Sequence, residues 1–128
     1  KYEIGTRTPA PDPKIEKMIV ETSASLGIKR REISDQEIIE RCLYPLINEG
    51  AKILEEGIAI RSSDIDVVWL YGYGFPRHRG GPMFWADLIG TNTIYDKMVE
   101  FETEHGNLMQ PADLLEKLAK EGQGFGDF

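Results

Sequence analysis

Cysteine is almost missing from this sequence: Cys42 is the only one in 128 residues. A single thiol excludes an internal disulfide and any zinc site built on cysteines, and it fits a reducing compartment. Histidine is nearly as scarce. His78 and His105 are the only two, and no Asp or Glu stands at a spacing that would bring three ligands onto one face with either. No metal is expected. Also lacking is any run of about 18 apolar residues, and the opening "KYEIGTRTPAPDP" has no apolar leader core. The chain therefore reads as soluble and cytoplasmic, with no membrane partner. Cations are in short supply as well: 15 Lys and Arg stand against 22 Asp and Glu, a formal net charge of −7. That surplus repels polyanions and leaves out nucleic acid as a partner. A start on Lys1 in place of Met reads as a piece cut from a longer chain.

What is present is helix. With 41% hydrophobic residues, a chain of this length supports one core and one domain. "GTRTPAP", residues 5–11, is stiff and polar, so residues 1–11 read as a linker and 12–128 as the helical domain. Asp12 is an N-cap, Pro13 suits the first helical position, and Gly27 can close that helix from the left-handed region. "SDQE" predicts a capping box at Ser34 and Glu37. Beyond it, Ile39, Leu43, Leu46, Ile47, Gly50, Ala51 and Leu54 recur at helical spacing. Pro45 interrupts that stripe without ending it, which predicts one kinked helix over 35–56 with a close helix contact at Gly50 and Ala51.

"SSDIDVVWLYG" carries Ser62 or Ser63 as a cap and Asp64 and Asp66 in a first turn, and should stop at Gly72. Its β-branched content admits a strand, but cap chemistry and acidic first turn together favour a helix. Further helices are expected from Pro82 to Gly90, over 91–106 with Ile94, Met98 and Phe101 on one face, and between Pro111 and Gly122. No strand pair remains, so the class is all-α.

The stretch "GYGFPRHRGGP" has the look of a phosphate cradle. It satisfies neither pattern known for one: no Lys with Ser or Thr follows its last glycine, and Arg77 stands where the third glycine of G-x-G-x-x-G belongs. Two readings stay open. One is a packing loop in which Gly72, Gly74, Phe75, Pro76, Gly80, Gly81 and Pro82 let two helices pass closely, with Trp69, Tyr73, Phe75 and Trp85 clustered beneath. The other is an anion surface made by Arg77, His78, Arg79 and the start of the next helix. Glu49, Glu55 and Glu56 have the spacing of a solvated helix face, and the serines sit in caps and flanks without a nucleophile elbow. Spacing alone yields no catalytic residue.

The segment "EIIERCLYPLINEGAKILEEGIAIRSSDIDVVWLYGYGFPRHRGGPMFWAD", residues 37–87, resembles the 3-hydroxyacyl-CoA dehydrogenase C-terminal domain, in its second, most C-terminal copy in multifunctional fatty-acid β-oxidation enzymes. "KY" at 1–2 and "GQGF" at 122–125 resemble the closing motifs of successive copies. The resemblance implies a 6-phosphogluconate dehydrogenase C-terminal-like helical fold and a parent that hydrates enoyl-CoA and oxidises 3-hydroxyacyl-CoA with NAD. The cofactor would bind elsewhere in the parent, with none in this domain. It also implies that Glu40 stands where working copies carry a substrate-binding asparagine, in a stretch that keeps Arg41, Leu43 and Pro45. A carboxylate there cannot donate an amide hydrogen bond and repels a second carboxylate or phosphate. The expected role is non-catalytic: packing against the preceding helical copy, with a homodimer when isolated. The alternative is an acyl-CoA phosphate or partner surface through the 72–82 loop. The final "GDF" is no peroxisomal tripeptide, although a longer chain could carry one.

Overall fold

A computed structural model describes Tyr2 and residues 4–128, in two compact units, residues 1–33 and 34–128. In the first, α1 (Pro13–Ser25) starts as its sequence dictates: Asp12 Oδ1 accepts from Lys14 N at 3.1 Å, and Pro13 occupies the first turn. Gly27, at φ 68°, turns the chain so that Ile28 N donates to Ser23 O at 2.9 Å. An isolated antiparallel bridge joins Tyr2 and Pro9.

The second unit holds α2 (Asp35–Glu55), α3 (Ser62–Val68), α4 (Pro82–Ile89), α5 (Thr91–His105) and α6 (Asp113–Glu121). A π-helical turn, Trp69–Tyr73, extends α3, and short 3₁₀ turns cover Arg77–Arg79, Asn107–Met109 and Phe125–Asp127. No strand occurs among the described residues, and the class is all-α. None of the described helices is long and apolar enough to cross a membrane.

α2 is the spine. Ser34 Oγ accepts from Glu37 N at 3.2 Å, and the helix runs unbroken through Pro45, which has no N–H to give the Arg41 carbonyl. Its inner stripe of Tyr44, Ile47, Ala51 and Leu54 is buried, and α2 packs on α4, α5 and α6 in turn. Ile94, Met98 and Phe101 face it from α5, as expected, and Leu114, Leu115 and Leu118 from α6. Each such side chain contributes roughly 1.5–3 kcal/mol on burial. Gly50 lies against Met83 of α4, where a Cβ would meet the Met83 sulfur. The close contact expected at Gly50 is thus between α2 and α4.

One polar residue sits inside this stripe. Asn48 is buried, donates Nδ2 to Gln110 O at 2.9 Å and accepts from Ala112 N at 2.7 Å. Glu55 takes the Leu114 N–H. Side chains of α2 therefore close the open N-terminus of α6, which has no capping side chain of its own.

Candidate functional site: the glycine loop and the Glu40 seam

The loop after α3 is built around a carboxylate. Asp66 is buried, and its two oxygens accept from Met83 N at 2.7 Å and Phe84 N at 3.1 Å. The first turn of α4 is the electropositive helix start that would hold a phosphate. Here the protein's own carboxylate occupies those two N–H groups. Burial pushes the Asp66 carboxyl above the usual carboxylate range, and the Met83 and Phe84 N–H bonds act against that shift.

The paired glycines follow from the same contact. Gly81 (φ 113°) passes so close to Asp66 that a Cβ would collide with its carboxylate, and one on Gly80 (φ 78°) would strike the Phe84 ring. Gly74 (φ 76°) has open space around it and serves only to turn the chain out of the π-helical segment, after which Phe75 N donates to Trp69 O at 3.0 Å. Gly72 is neither crowded nor at positive φ. Pro76 precedes the 3₁₀ turn and Pro82 opens α4.

Three local expectations are corrected here. The cap of α3 is Arg61, not Ser62 or Ser63, and it makes no side-chain cap bond; the Arg61 guanidinium instead pairs with Asp64 at 2.8 Å. The helix runs past Gly72 to Gly74, because a π turn admits the extra residues. Of the four aromatics, Phe75 and Trp85 belong to the buried core and Trp69 packs against it, but Tyr73 stays exposed, its ring tilted against Trp69 with centroids 4.8 Å apart; Trp85 packs with Tyr44 of α2 at 6.4 Å. Phe75 is buried as expected.

Of the cations, Arg77 lies over the Tyr71 ring at 5.4 Å and Arg79 over Trp85 at 5.2 Å. Arg77 and His78 are exposed and Arg79 is half-buried.

Glu40 lies apart from this loop, on the seam between α2 and α5. Its carboxylate accepts from Gln36 Nε2 at 2.8 Å and lies 3.8 Å from Lys97 Nζ, which is bound to Glu100 at 2.7 Å. The next residue, Arg41, is held by Glu37 at 2.8 Å and Glu104 at 2.7 Å, approaches His105 Nε2 at 2.5 Å, and covers the Phe101 ring. The two carboxylates hold the Arg41 guanidinium above its ordinary pKa, and Glu100, with Glu40 farther off, does the same for the Lys97 ammonium. This seam is an ion-pair ladder with Glu40 as one rung.

Besides Asn48 and Glu55, two more side chains accept from backbone N–H groups far along the chain, beyond what local spacing predicts. Its place in the sequence predicts Asp66 as a dipole partner of its own helix, yet it caps the next one. Asp87 of α4 accepts from Phe125 N at 2.6 Å and Gly126 N at 2.9 Å. The only hint was an acidic residue inside an apolar segment in each case, "DIDVVW" and "FWADLI".

Residues 38–125 match the family described as 3-hydroxyacyl-CoA dehydrogenase, C-terminal domain. Among similar curated proteins, the peroxisomal bifunctional enzyme of Homo sapiens is 46% identical over 114 residues, 88% of this chain and 16% of the relative. The peroxisomal bifunctional enzyme of Danio rerio is 43% identical over 120 residues, 92% of this chain and 17% of the relative. The peroxisomal fatty acid beta-oxidation multifunctional protein of Arabidopsis thaliana is 39% identical over 126 residues, 94% of this chain and 17% of the relative. The chain thus spans about one-sixth of the length of these relatives. Their names overturn the cytoplasmic expectation: the relatives are peroxisomal. Composition could not have signalled this, because such an address is a short receptor-read tag. With its profile match, its identity to these enzymes and its all-helical fold, the chain belongs to the 3-hydroxyacyl-CoA dehydrogenase C-terminal domain family.

Proposed function

We propose that this domain is a non-catalytic, assembly-forming part of a peroxisomal multifunctional β-oxidation enzyme. The parent oxidises 3-hydroxyacyl-CoA with NAD and hydrates enoyl-CoA on residues outside this domain. Its partner is the preceding helical dehydrogenase copy, against which it packs as one subunit of a dimer packs against the other. The domain itself holds neither NAD nor substrate.

The observation that carries this reading is Glu40. At the position where the resemblance places a substrate-binding asparagine, a carboxylate is tied to Gln36 and Lys97. Ionised, it accepts but cannot donate, so it cannot serve an acyl carbonyl as an amide does. A carboxylate committed to an ion-pair ladder holds α5 on α2.

The experiment adds this domain in trans to a parent enzyme lacking it. Binding together with recovery of the NAD-linked dehydrogenase rate is expected. No binding at high micromolar concentration overturns the reading.

The 72–82 loop as an acyl-CoA phosphate or partner surface is the competing reading, supported by the exposed Arg77 and His78. Against it stands the α4 start, whose two leading N–H groups are taken by Asp66. An Arg77→Ala/Arg79→Ala parent enzyme separates the two. An unchanged KM for acyl-CoA rejects the phosphate surface, and a raised KM with unchanged kcat supports it.

A further inference from the structure

The stretch that follows α1 has an open backbone. Residues 28–34, "IKRREIS", form no helix, strand or turn, and every one of them is exposed. Ile28 N makes the last closing bond of α1, to Ser23 O, and Ser34 Oγ makes the first of α2, accepting from Glu37 N. Between those two bonds, Lys29, Arg30, Glu32 and Ile33 give no backbone N–H to another backbone carbonyl. A backbone open in this way can pair as an extended strand with a second protein.

A protease requires that geometry. It draws several consecutive residues into its cleft in extended form, so a bond inside a helix is cut only after local opening, whereas an open loop is cut directly. The three consecutive cations Lys29, Arg30 and Arg31 select the class, a serine protease whose specificity pocket holds a carboxylate. The other cations among the described residues stand in closed backbone. Those of α1, α2, α5 and α6 are helical. Arg7 lies in a loop closed by the Tyr2–Pro9 bridge, and Arg61 caps α3 with its guanidinium on Asp64 at 2.8 Å. Arg77 and Arg79 belong to a 3₁₀ turn and rest on the Tyr71 and Trp85 rings.

A cut here removes nothing from the core. Among the described residues, every buried apolar side chain lies between Tyr44 and Phe125, and α1 buries none of its own.

We propose that Lys29–Arg31 is a processing site, at which a serine protease specific for basic side chains hydrolyses the Arg30–Arg31 peptide bond and frees the helical domain from the chain that precedes it. One water is consumed: its oxygen completes a carboxylate on Arg30, and the Arg31 nitrogen leaves as a new amino terminus. The inference goes beyond the assembly reading and needs none of it.

The test digests the 128-residue chain with trypsin at a low catalytic ratio and reads the order of cuts by mass spectrometry. The first cut is expected within Lys29–Arg31, at least about tenfold faster than any other. The product running to Phe128 should persist, with the urea unfolding midpoint of the intact chain. Subtilisin, which has no need of a basic side chain, should also cut first between Leu26 and Ser34. The variant Lys29→Gln/Arg30→Gln/Arg31→Gln, with its helicity checked by circular dichroism, should lose the trypsin cut there and keep the subtilisin cut. The folded longer parent should give a tryptic fragment that begins at Arg30 or Arg31. A first cut elsewhere by either protease, a product that unfolds, or a parent left whole at this point each overturns the proposal. None of these readouts involves binding or dehydrogenase rate, so the in-trans rescue decides the assembly reading separately.

Discussion

Asp87 and Phe125 are joined by a 2.6 Å hydrogen bond from the Phe125 backbone N–H to the Asp87 carboxylate, with the Phe125 ring fully buried. The bond ties the closing "GQGF" to α4. Gly126 N adds a second bond at 2.9 Å, and a Cβ on Gly124 would collide with the carboxylate. Asp87→Ala removes both acceptors and should cost about 2–4 kcal/mol in urea unfolding, since charge-assisted bonds are the stronger class and unpaired donors are left behind. Phe125→Ala should cost about 3–5 kcal/mol through the cavity it leaves. Losses under about 1 kcal/mol for both would mean that the tail does not hold the domain together.

The glycines of the 72–82 loop should differ sharply under substitution by alanine. Gly81→Ala combines a φ of 113° with a collision against Asp66, and should cost about 3 kcal/mol or more. Gly50→Ala displaces the movable end of Met83 but gains about 1 kcal/mol of helix propensity, leaving a net cost of about 0–2 kcal/mol. Gly72→Ala, with open space and no positive φ, should be neutral or slightly stabilising. Thermal unfolding of the three variants gives the order directly.

Asp66 makes stability depend on acidity. Burial raises its folded pKa above the ordinary 3.8, opposed by the Met83 and Phe84 N–H bonds and reinforced by the Asp87 charge. The folded state therefore holds this proton more tightly than the unfolded chain does. The resulting contribution is complete below the ordinary value and is lost as pH rises through the raised one. The stability of wild type relative to Asp66→Asn should accordingly fall over that interval. A difference that rises with pH there would mean that the N–H bonds outweigh burial.

The Glu40 to Lys97 contact is half open to solvent, with side chains 17% and 30% exposed. A double-mutant cycle with Glu40→Gln and Lys97→Met should give a coupling of about 0.5–1 kcal/mol that shrinks at high salt. Zero coupling would leave Glu40 without the structural role assigned to it.

Much of the fold could be read from local chemistry. Asp12 with Pro13, Ser34 with Glu37, and the Ile94, Met98 and Phe101 spacing all act within a few residues, so periodicity and capping revealed them. The family was equally legible, because the 37–87 segment is specific as a string. The candidate site was less so. The glycine loop resembled a phosphate cradle because the sequence does not say which anion would sit there.

The sequence by itself determined the helices, most of their starts and ends, the all-α class and the family. The Asp12 and Ser34 capping bonds and helical periodicity join neighbours in the chain and need no knowledge of the rest. Only the tertiary structure decided that Asp66 fills the start of α4, that Asp87 clasps Phe125 and that Glu40 joins Lys97. These pairs lie 17, 38 and 57 residues apart in the case of the three carboxylates. A carboxylate finds whichever donor the packed helices bring to it, and that choice is made in space.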